Sequence, residues 1–203
     1  LEINKFRKFN FLIKNKRFLN AIVKNVANQI ELLKKKKNNS VILNYDEKST
    51  DLFNWYQQLM AESLGKNNTG ILPIISSMPK DNHSLMQFYL DGPKNYFFTF
   101  FMVKEKHSQT LSNKDILNSH DYLKNKSLRD ILFSQFTATQ KVFKEKKIPY
   151  RTFVINNRSE EALGELFTFF ILEVILLGKF MKNNPFDQPA VELIKKETNK
   201  LLI

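Results

Sequence analysis

Two polar side chains, Gln58 and Glu62, stand four residues apart in a segment whose apolar residues recur at helical spacing, from Ser49 to Ser63. On a helix, residues four apart share a face, so the amide and the carboxylate point the same way. An amide can fix sugar or phosphate oxygens, and a carboxylate can take a proton from a carbon beside a carbonyl and return it to the next carbon. The pair is therefore compatible with such a proton transfer, although a single Glu on a helix is more often only an exposed side chain.

A histidine follows a turn in the next part of the chain. His83 comes after Pro79, Asp81 and Asn82, which are residue types that favour turns, so we expect its imidazole on a loop at the end of a strand. Imidazole titrates near neutrality and can pass a proton between two oxygen atoms. His83 is therefore a candidate for acid–base chemistry.

A third polar group lies close to residue 190. Gln188, Glu192 and Lys195 recur at helical spacing, and Pro189 fits the first turn of a helix that starts near Asp187. Gln188 and Lys195 then face the same way. An amide and a cation on one face of a helix suit the binding of a polar ligand.

Metal and thiol chemistry find no support in the composition. The sequence has no Cys, which excludes a disulfide framework and thiolate metal sites, and His83, His107 and His120 are too scattered for a metal-ligand pattern. We therefore expect no metal and no cofactor. Without Cys, and with charges that interrupt the first apolar residues, the chain is expected in the cytoplasm.

Short apolar runs alternate with amphipathic runs along the chain. The apolar runs predict strands at 40–45, 71–75, 95–103 and 150–155. The amphipathic runs predict helices at 17–37, 49–63, 127–147, 159–181 and 188–202. Strands that alternate with helices imply right-handed crossovers and a mostly parallel sheet. The predicted fold class is α/β, a three-layer αβα sandwich in one domain over residues 1–203, with a surface excursion at 107–126.

The segment 166–177 is apolar on all sides and invites a comparison with membrane helices. A span needs about 20 predominantly apolar residues. Glu165, Glu173 and Lys179 interrupt this segment before that length is reached. We predict a helix that is buried in the core or at a subunit interface, and no membrane partner.

Four segments, in order, resemble glucose-6-phosphate isomerases. Residues 58–66 (QLMAESLGK) are similar to the family's Q-x-x-x-E-S-x-G-K segment, and residues 81–84 (DNHS), with 91–93 (DGP) beyond, are similar to its D-x-H-S segment. Residues 163–166 (LGEL) and 184–192 (NPFDQPAVE), the latter followed by Lys195, complete the set. The resemblance covers residues 55–196 and implies a fold of the sugar-isomerase (SIS) type.

The resemblance also implies roles for the polar residues. It makes Glu62 the catalytic base and His83 the ring-opening residue, contributed across a dimer interface. It gives Gln188 a contact with the substrate phosphate and places Lys195 beside the ring oxygen, while Gln58 remains a substrate-binding residue by its position relative to Glu62. The implied partners are a small sugar phosphate and a second copy of the enzyme, as a homodimer.

This sequence departs from the family pattern in two ways. Ile194 stands where the family usually has Gly, so Lys195 and Lys196 remain alternatives for the site lysine. The family's G-G-R-[FY]-S segment and its Ser/Thr-rich phosphate cradle are absent. We therefore expect this chain to be the carboxy-terminal half of a longer two-domain enzyme and to be inactive alone.

Two alternatives remain from other functional classes. A non-catalytic domain of the same fold would bind a sugar phosphate as a regulator, but binding alone does not need a base such as Glu62. The formal net charge of +12 and the run Lys34–Lys37 raise a nucleic-acid-binding function. That run ends a helical pattern, where cations favour the helix dipole, and no recognition motif is present, so we expect no nucleic-acid partner.

Overall fold

A computed structural model describes residues 9–104 and 108–203; residues 1–8 and 105–107, and with them His107, lie outside the described residues. The strands are β1 (Asn39–Asn44), β2 (Leu72–Ser77), β3 (Tyr96–Val103) and β4 (Tyr150–Ile155). The helices are α1 (Phe9–Leu12), α2 (Lys16–Lys34), α3 (Thr50–Leu64), α4 (Asp81–Ser84), α5 (Met86–Asp91), α6 (Leu128–Glu145), α7 (Glu160–Phe180) and α8 (Pro189–Leu202). The stretch 108–126 is largely exposed, as predicted, and contains two short 3₁₀ helices, Asn113–Asp115 and Asn118–Leu123.

The strands form one parallel sheet in the order β2-β1-β3-β4. Asn39 at the start of β1 pairs with Leu72 of β2 on one side and with Tyr96 of β3 on the other. Both inner strands are almost entirely buried, because helices cover the sheet on each face. The predicted parallel α/β sheet is confirmed.

Side chains alternate between two cores along the inner strands. In β1, Ile42 faces one core, whereas Val41 and Leu43 face the other. The first core lies between the sheet and helices α2, α3 and α7, and the second lies between the sheet and helices α5 and α6. Helices on both faces of the sheet make the predicted three-layer sandwich.

The segment after β2 differs from the sequence-based expectation in one respect. His83 lies in a one-turn helix, α4, and not in an open loop. Asp81 causes this turn, because its carboxylate accepts hydrogen bonds from Ser77 N at 2.8 Å and from Ser84 Oγ at 2.9 Å. His83 is exposed and follows the carboxyl end of β2, as expected.

Helix α7 is the apolar segment that the sequence assigned to the core. Ser159 caps it by accepting a hydrogen bond from Ala162 N at 3.2 Å. Phe170 and Val174 belong to the first core, which confirms the predicted burial. Among the described residues, no helix combines the length and the apolar character needed to cross a bilayer.

The carboxylate of Glu173 joins four elements on this face of the sheet. It is 0% exposed and accepts hydrogen bonds from the Asn25 and Gln29 amides of α2 and from the Arg151 guanidinium of β4. It also accepts from the Tyr56 hydroxyl of α3 at 2.8 Å. Burial, reinforced by the Glu173 charge, raises the pKa of Tyr56 well above its ordinary value, so the phenol remains a donor. Four donors therefore offset the desolvation of one carboxylate.

Replacing Glu173 by Gln should lower the free energy of unfolding by about 3–5 kcal/mol, since loss of one partner of a buried ion pair leaves the Arg151 charge uncompensated. Urea unfolding followed by circular dichroism measures the change. Glu165→Gln alters an exposed residue of the same helix and should stay within about 0.5 kcal/mol of the parent protein. Equal midpoints for Glu173→Gln and the parent would show that the network adds nothing to stability.

Candidate active site

Helices α3 and α7 both end at the amino edge of the sheet, where the strands begin. In a parallel sheet each connecting helix runs back against its strand, so successive helix C-termini gather at this edge. Helix α3 ends at Leu64. A Cβ on the next residue, Gly65, would lie 2.7 Å from the Ala61 carbonyl oxygen, so a glycine lets the chain leave the helix here. The segment 181–188, which follows α7, meets this end of α3.

Glu62, near the end of α3, has both carboxylate oxygens engaged. Gln58 donates from Nε2 to Oε1 at 2.9 Å, and Gln188 donates from Nε2 to Oε2 at 2.7 Å. The predicted shared face of Gln58 and Glu62 is present, and Gln188 joins it from 126 positions away in the sequence. Each oxygen keeps a further acceptor position, so the carboxylate is oriented and still able to accept a proton.

Lys66 pairs with the segment that carries Gln188. Its Nζ donates to the Asn184 carbonyl oxygen and to Asp187 Oδ1, the latter at 2.6 Å, and its side chain is only 9% exposed. The hydrogen bond from Lys66 lowers the pKa of Asp187 below its ordinary value, and the Lys66 charge and a hydrogen bond from Asn184 act in the same direction. Asp187 is therefore ionised at neutral pH.

Asn183 makes a second, buried link between the same two segments. Its Nδ2 donates to the Leu64 carbonyl oxygen at 3.1 Å and to Thr69 Oγ1 at 3.2 Å. Its Oδ1 accepts from Asn67 Nδ2 at 3.0 Å. The Leu64 carbonyl oxygen also accepts from Lys66 N at 2.9 Å, so Asn183 adds a second donor at the end of α3 and fixes the start of the turn that leads to Gln188.

Four of these side chains, Glu62, Lys66, Asp187 and Gln188, line a cleft of about 840 Å³. Gln58 and Asn183 lie outside its lining. Lys66 is the one basic side chain among the described residues that line it, and its charge is already taken by Asp187. A cleft of this size admits a small polar molecule next to the Glu62 carboxylate.

Lys195 and Lys196 lie on α8 outside the lining of the cleft. Lys195 donates to Glu192 Oε1 at 2.7 Å, and both of these side chains are more than half exposed. Helix α8 carries Lys195 about 10 Å along its axis from Gln188. Seven residues return to nearly the same side of a helix, so Lys195 shares a side with Gln188, whereas Lys196 is turned by about a further 100°.

His83 is not brought to Glu62 within one chain. Glu62 lies near the end of α3, at the amino edge of the sheet, whereas His83 follows the carboxyl end of β2. The six residues of β2 span about 20 Å between these edges. The structure therefore groups Gln58, Glu62 and Gln188 and leaves His83 apart from them.

Lys66, Asn183 and Asp187 were not predicted as site residues. Lys66 and Asp187 stand within the segments QLMAESLGK and NPFDQPAVE, so the signal was present in the motifs. Spacing alone is misleading for Lys66, because a lysine four residues after Glu62 predicts a local helical pair. Asn183 lies just before the second motif and carries no signal of its own.

The described residues hold no group of three or more His, Cys, Asp or Glu side chains that could bind a metal ion. What the cleft does offer is a carboxylate oriented by two amides, beside a paired lysine. A carboxylate held in this way suits the abstraction and return of a proton.

Comparisons with known proteins agree on one family, although no family model matches the chain. Glucose-6-phosphate isomerase of Methanocaldococcus jannaschii is 33% identical over 196 residues, which are 96% of this chain and 47% of that protein. The chain spans about half the length of the curated relatives it matches.

Solved structures support the same relationship at the level of the fold. A hypothetical protein from Thermus thermophilus matches with a TM-score of 0.85 at 26% identity, over 98% of this chain and 49% of that one. A glucose-6-phosphate isomerase from Chlamydia trachomatis matches with a TM-score of 0.65 at 18% identity, over 81% of this chain and 34% of that one. This chain is homologous to glucose-6-phosphate isomerases over nearly all of its own length and about half of theirs.

Proposed function

We propose that this chain supplies the base-bearing part of an aldose-ketose isomerase that interconverts glucose 6-phosphate and fructose 6-phosphate. The observation that carries the proposal is the Glu62 carboxylate, which two amides orient beside the cleft. The activity for which the relatives are named supports the choice of substrate.

Glu62 acts as the base of the reaction. Its carboxylate takes the proton from C2 of the open-chain aldose while the carbonyl oxygen at C1 gains a proton, which gives the enediol. The same carboxylic acid returns its proton to C1 while the C2 hydroxyl releases its proton and becomes the carbonyl, which balances the proton gained earlier by the C1 oxygen. Gln58 and Gln188 keep their second N–H and their carbonyl oxygens for sugar or phosphate oxygens. One group serves both proton transfers, so the reaction needs no cofactor.

Ring opening uses His83 from a second copy of the enzyme. The reason is distance, because about 20 Å of β2 separates His83 from Glu62 within one chain. A homodimer that sets the α4 turn of one copy against the cleft of the other supplies an imidazole to the ring oxygen. Lys195, on the same side of α8 as Gln188, adds a cation beside that oxygen.

The remaining charges of the reaction come from outside this chain. The enediolate and the substrate phosphate are anionic, yet the cleft has one cation, Lys66, among its described residues and that cation is paired. We assign the missing arginine and phosphate cradle to the other half of a longer two-domain enzyme, in which this chain is the carboxy-terminal sugar-isomerase domain. Preorganised donors of this kind often make the largest contribution to catalysis.

One observation favours a second candidate, a regulatory domain that binds a sugar phosphate without catalysis. Because Lys66 is paired with Asp187, the cleft can bind a polar ligand but has no free positive charge to stabilise an anionic intermediate. The two functions differ in what Glu62 does, since a regulator needs the carboxylate only for its shape and polarity.

Glu62→Gln in the complete enzyme should lower turnover by about 10²–10⁴-fold or more and leave substrate affinity nearly unchanged, because an amide keeps the shape but cannot take the proton. A coupled assay gives turnover, and calorimetric titration gives affinity. Glu165→Gln, on an exposed face of α7, is the matched control. Turnover within a few-fold of the parent would remove Glu62 from the mechanism and favour the regulatory function.

His83→Ala should slow the reaction of the cyclic sugar more than that of an open-chain analogue, because the imidazole acts before C2 is attacked. Steady-state kinetics on both substrates measure the two losses. Mixing His83→Ala chains with Glu62→Gln chains should restore part of the activity that each variant lacks alone, if each site takes its residues from two copies. Equal losses on both substrates, without recovery on mixing, would give His83 a structural role only.

Residues 1–203 expressed alone should fold, since the two cores supply their own apolar burial, but should not isomerise glucose 6-phosphate. Activity should be absent because Lys66, the one cation among the described residues of the cleft, is paired with Asp187. It cannot also stabilise the enediolate or bind the substrate phosphate. Circular dichroism checks folding, and a coupled assay for fructose 6-phosphate checks activity. Turnover of about 1–10³ s⁻¹ would mean that this chain carries a complete active site.

A further inference from the structure

Lys66 stands four residues after Glu62, the spacing at which a helix pairs a carboxylate with a lysine. The pair does not form here, because α3 ends at Leu64. Beyond that point Lys66 and Thr69 exchange backbone hydrogen bonds of 3.0 and 2.9 Å, which turn the chain back on itself. The turn directs the Lys66 side chain to the segment 184–187 instead.

The Lys66 side chain is held there from several directions. It donates to Asn184 O and to Asp187 Oδ1, and Asn184 Nδ2 donates to Asp187 Oδ2 at 3.1 Å. The Lys66 side chain is only 9% exposed, whereas that of Asp187 is about half exposed, so solvent reaches the pair from the carboxylate side only. Lys66 and Asp187 thus form an ion pair across the junction of α3 and the turn before α8.

The residue after Asp187 is Gln188, which donates to Glu62. Apolar packing of α8 does not explain the position of Gln188. The structure describes all of α8, and none of its residues is buried. Gln188 itself makes no side-chain cap to α8. The contacts that hold this segment to α3 are the hydrogen bonds of Lys66 and Asn183 and the bond of Gln188 itself.

We propose that Lys66 and Asp187 act as a clasp that positions Gln188 against Glu62 and keeps the Lys66 charge away from the base. An ion pair between Lys66 and Glu62 would occupy an acceptor position that the substrate proton needs. Asp187 prevents this pairing by taking the charge. Lys66 is therefore a positioning residue, and its catalytic meaning rests on the proposed function.

The clasp is tested first on the full 203-residue chain, without any assay of activity. Side-chain amide resonances of Gln188 and Gln58 are followed by ¹⁵N NMR in Lys66→Met and Asp187→Asn. The Gln188 resonances should move to the position of a free glutamine in both variants, while those of Gln58 stay. Lys200→Met breaks an exposed 2.7 Å pair with Glu197 on α8 and should change neither.

Asp187 is about half exposed, so Asp187→Asn keeps the test open if Lys66→Met fails to fold. Gln188 resonances that remain unchanged in Asp187→Asn would overturn the clasp. A shift of the Gln58 resonances equal to that of Gln188 would also overturn it, because Lys66 would then support α3 as a whole.

The catalytic part is tested in the complete enzyme by a double-mutant cycle. Lys66→Met and Gln188→Leu should each reduce kcat/KM by about 10- to 100-fold, the range expected for loss of hydrogen bonds to a charged group. The double variant should be no slower than Gln188→Leu alone, since Lys66 acts through Gln188. Losses that multiply would overturn the positioning role, because independent effects add as free energies.

A parent enzyme without isomerase activity would defeat the proposed function, and the NMR result would still decide the clasp.

Discussion

One buried carboxylate organises the side of the sheet on which the candidate site stands. Glu173 of α7 takes its hydrogen bonds from α2, α3 and β4, and each donor is also buried or half-buried. Tyr56, one of these donors, lies on the same helix as Glu62, and α7 itself leads into the segment that ends at Gln188. The separation of α3 and α7, which decides whether Gln188 reaches Glu62, is therefore set by a polar contact deep in an apolar core. Such a network specifies one arrangement of helices more strictly than apolar contacts alone.

The position of the site follows from the direction of the helices. Helix C-termini carry partial negative charge and unpaired carbonyl groups, and parallel topology gathers the ends of α2, α3 and α7 at one edge of the sheet. Lys66 and Asn183 place side-chain donors at this edge, to Asn184 O four residues beyond α7 and to Leu64 O, which also accepts from Lys66 N. The same donors tie the two helix ends together. The contacts that satisfy the backbone are thus also the contacts that assemble the cleft.

The sequence predicted those parts of the molecule that depend on local order. The spacing of apolar residues along the chain located each strand and each long helix to within a few residues. The four-residue spacing of Gln58 and Glu62 placed both side chains on one face of α3. The short helices α1 and α5 were not predicted, because four to six residues contain too few turns for a period to emerge. Glu173 looked like an interruption of an apolar helix, since nothing near it in the sequence announces donors more than 100 positions away. The Lys66 contact was hidden for the same reason.

The order of the strands has a consequence for the way the molecule assembles as it is synthesised. β1 pairs with both β2 and β3, so three of the four strands of the sheet can associate once the chain has been made to Val103. β4 and α7 add to this core later, and the partners of Glu62 are separated by 126 positions, so the cleft closes only after the sheet is complete. Contacts of such long range are entropically costly to make and form late in folding. The cleft is thus expected to assemble as a late step of folding, after the strands of the sheet have paired.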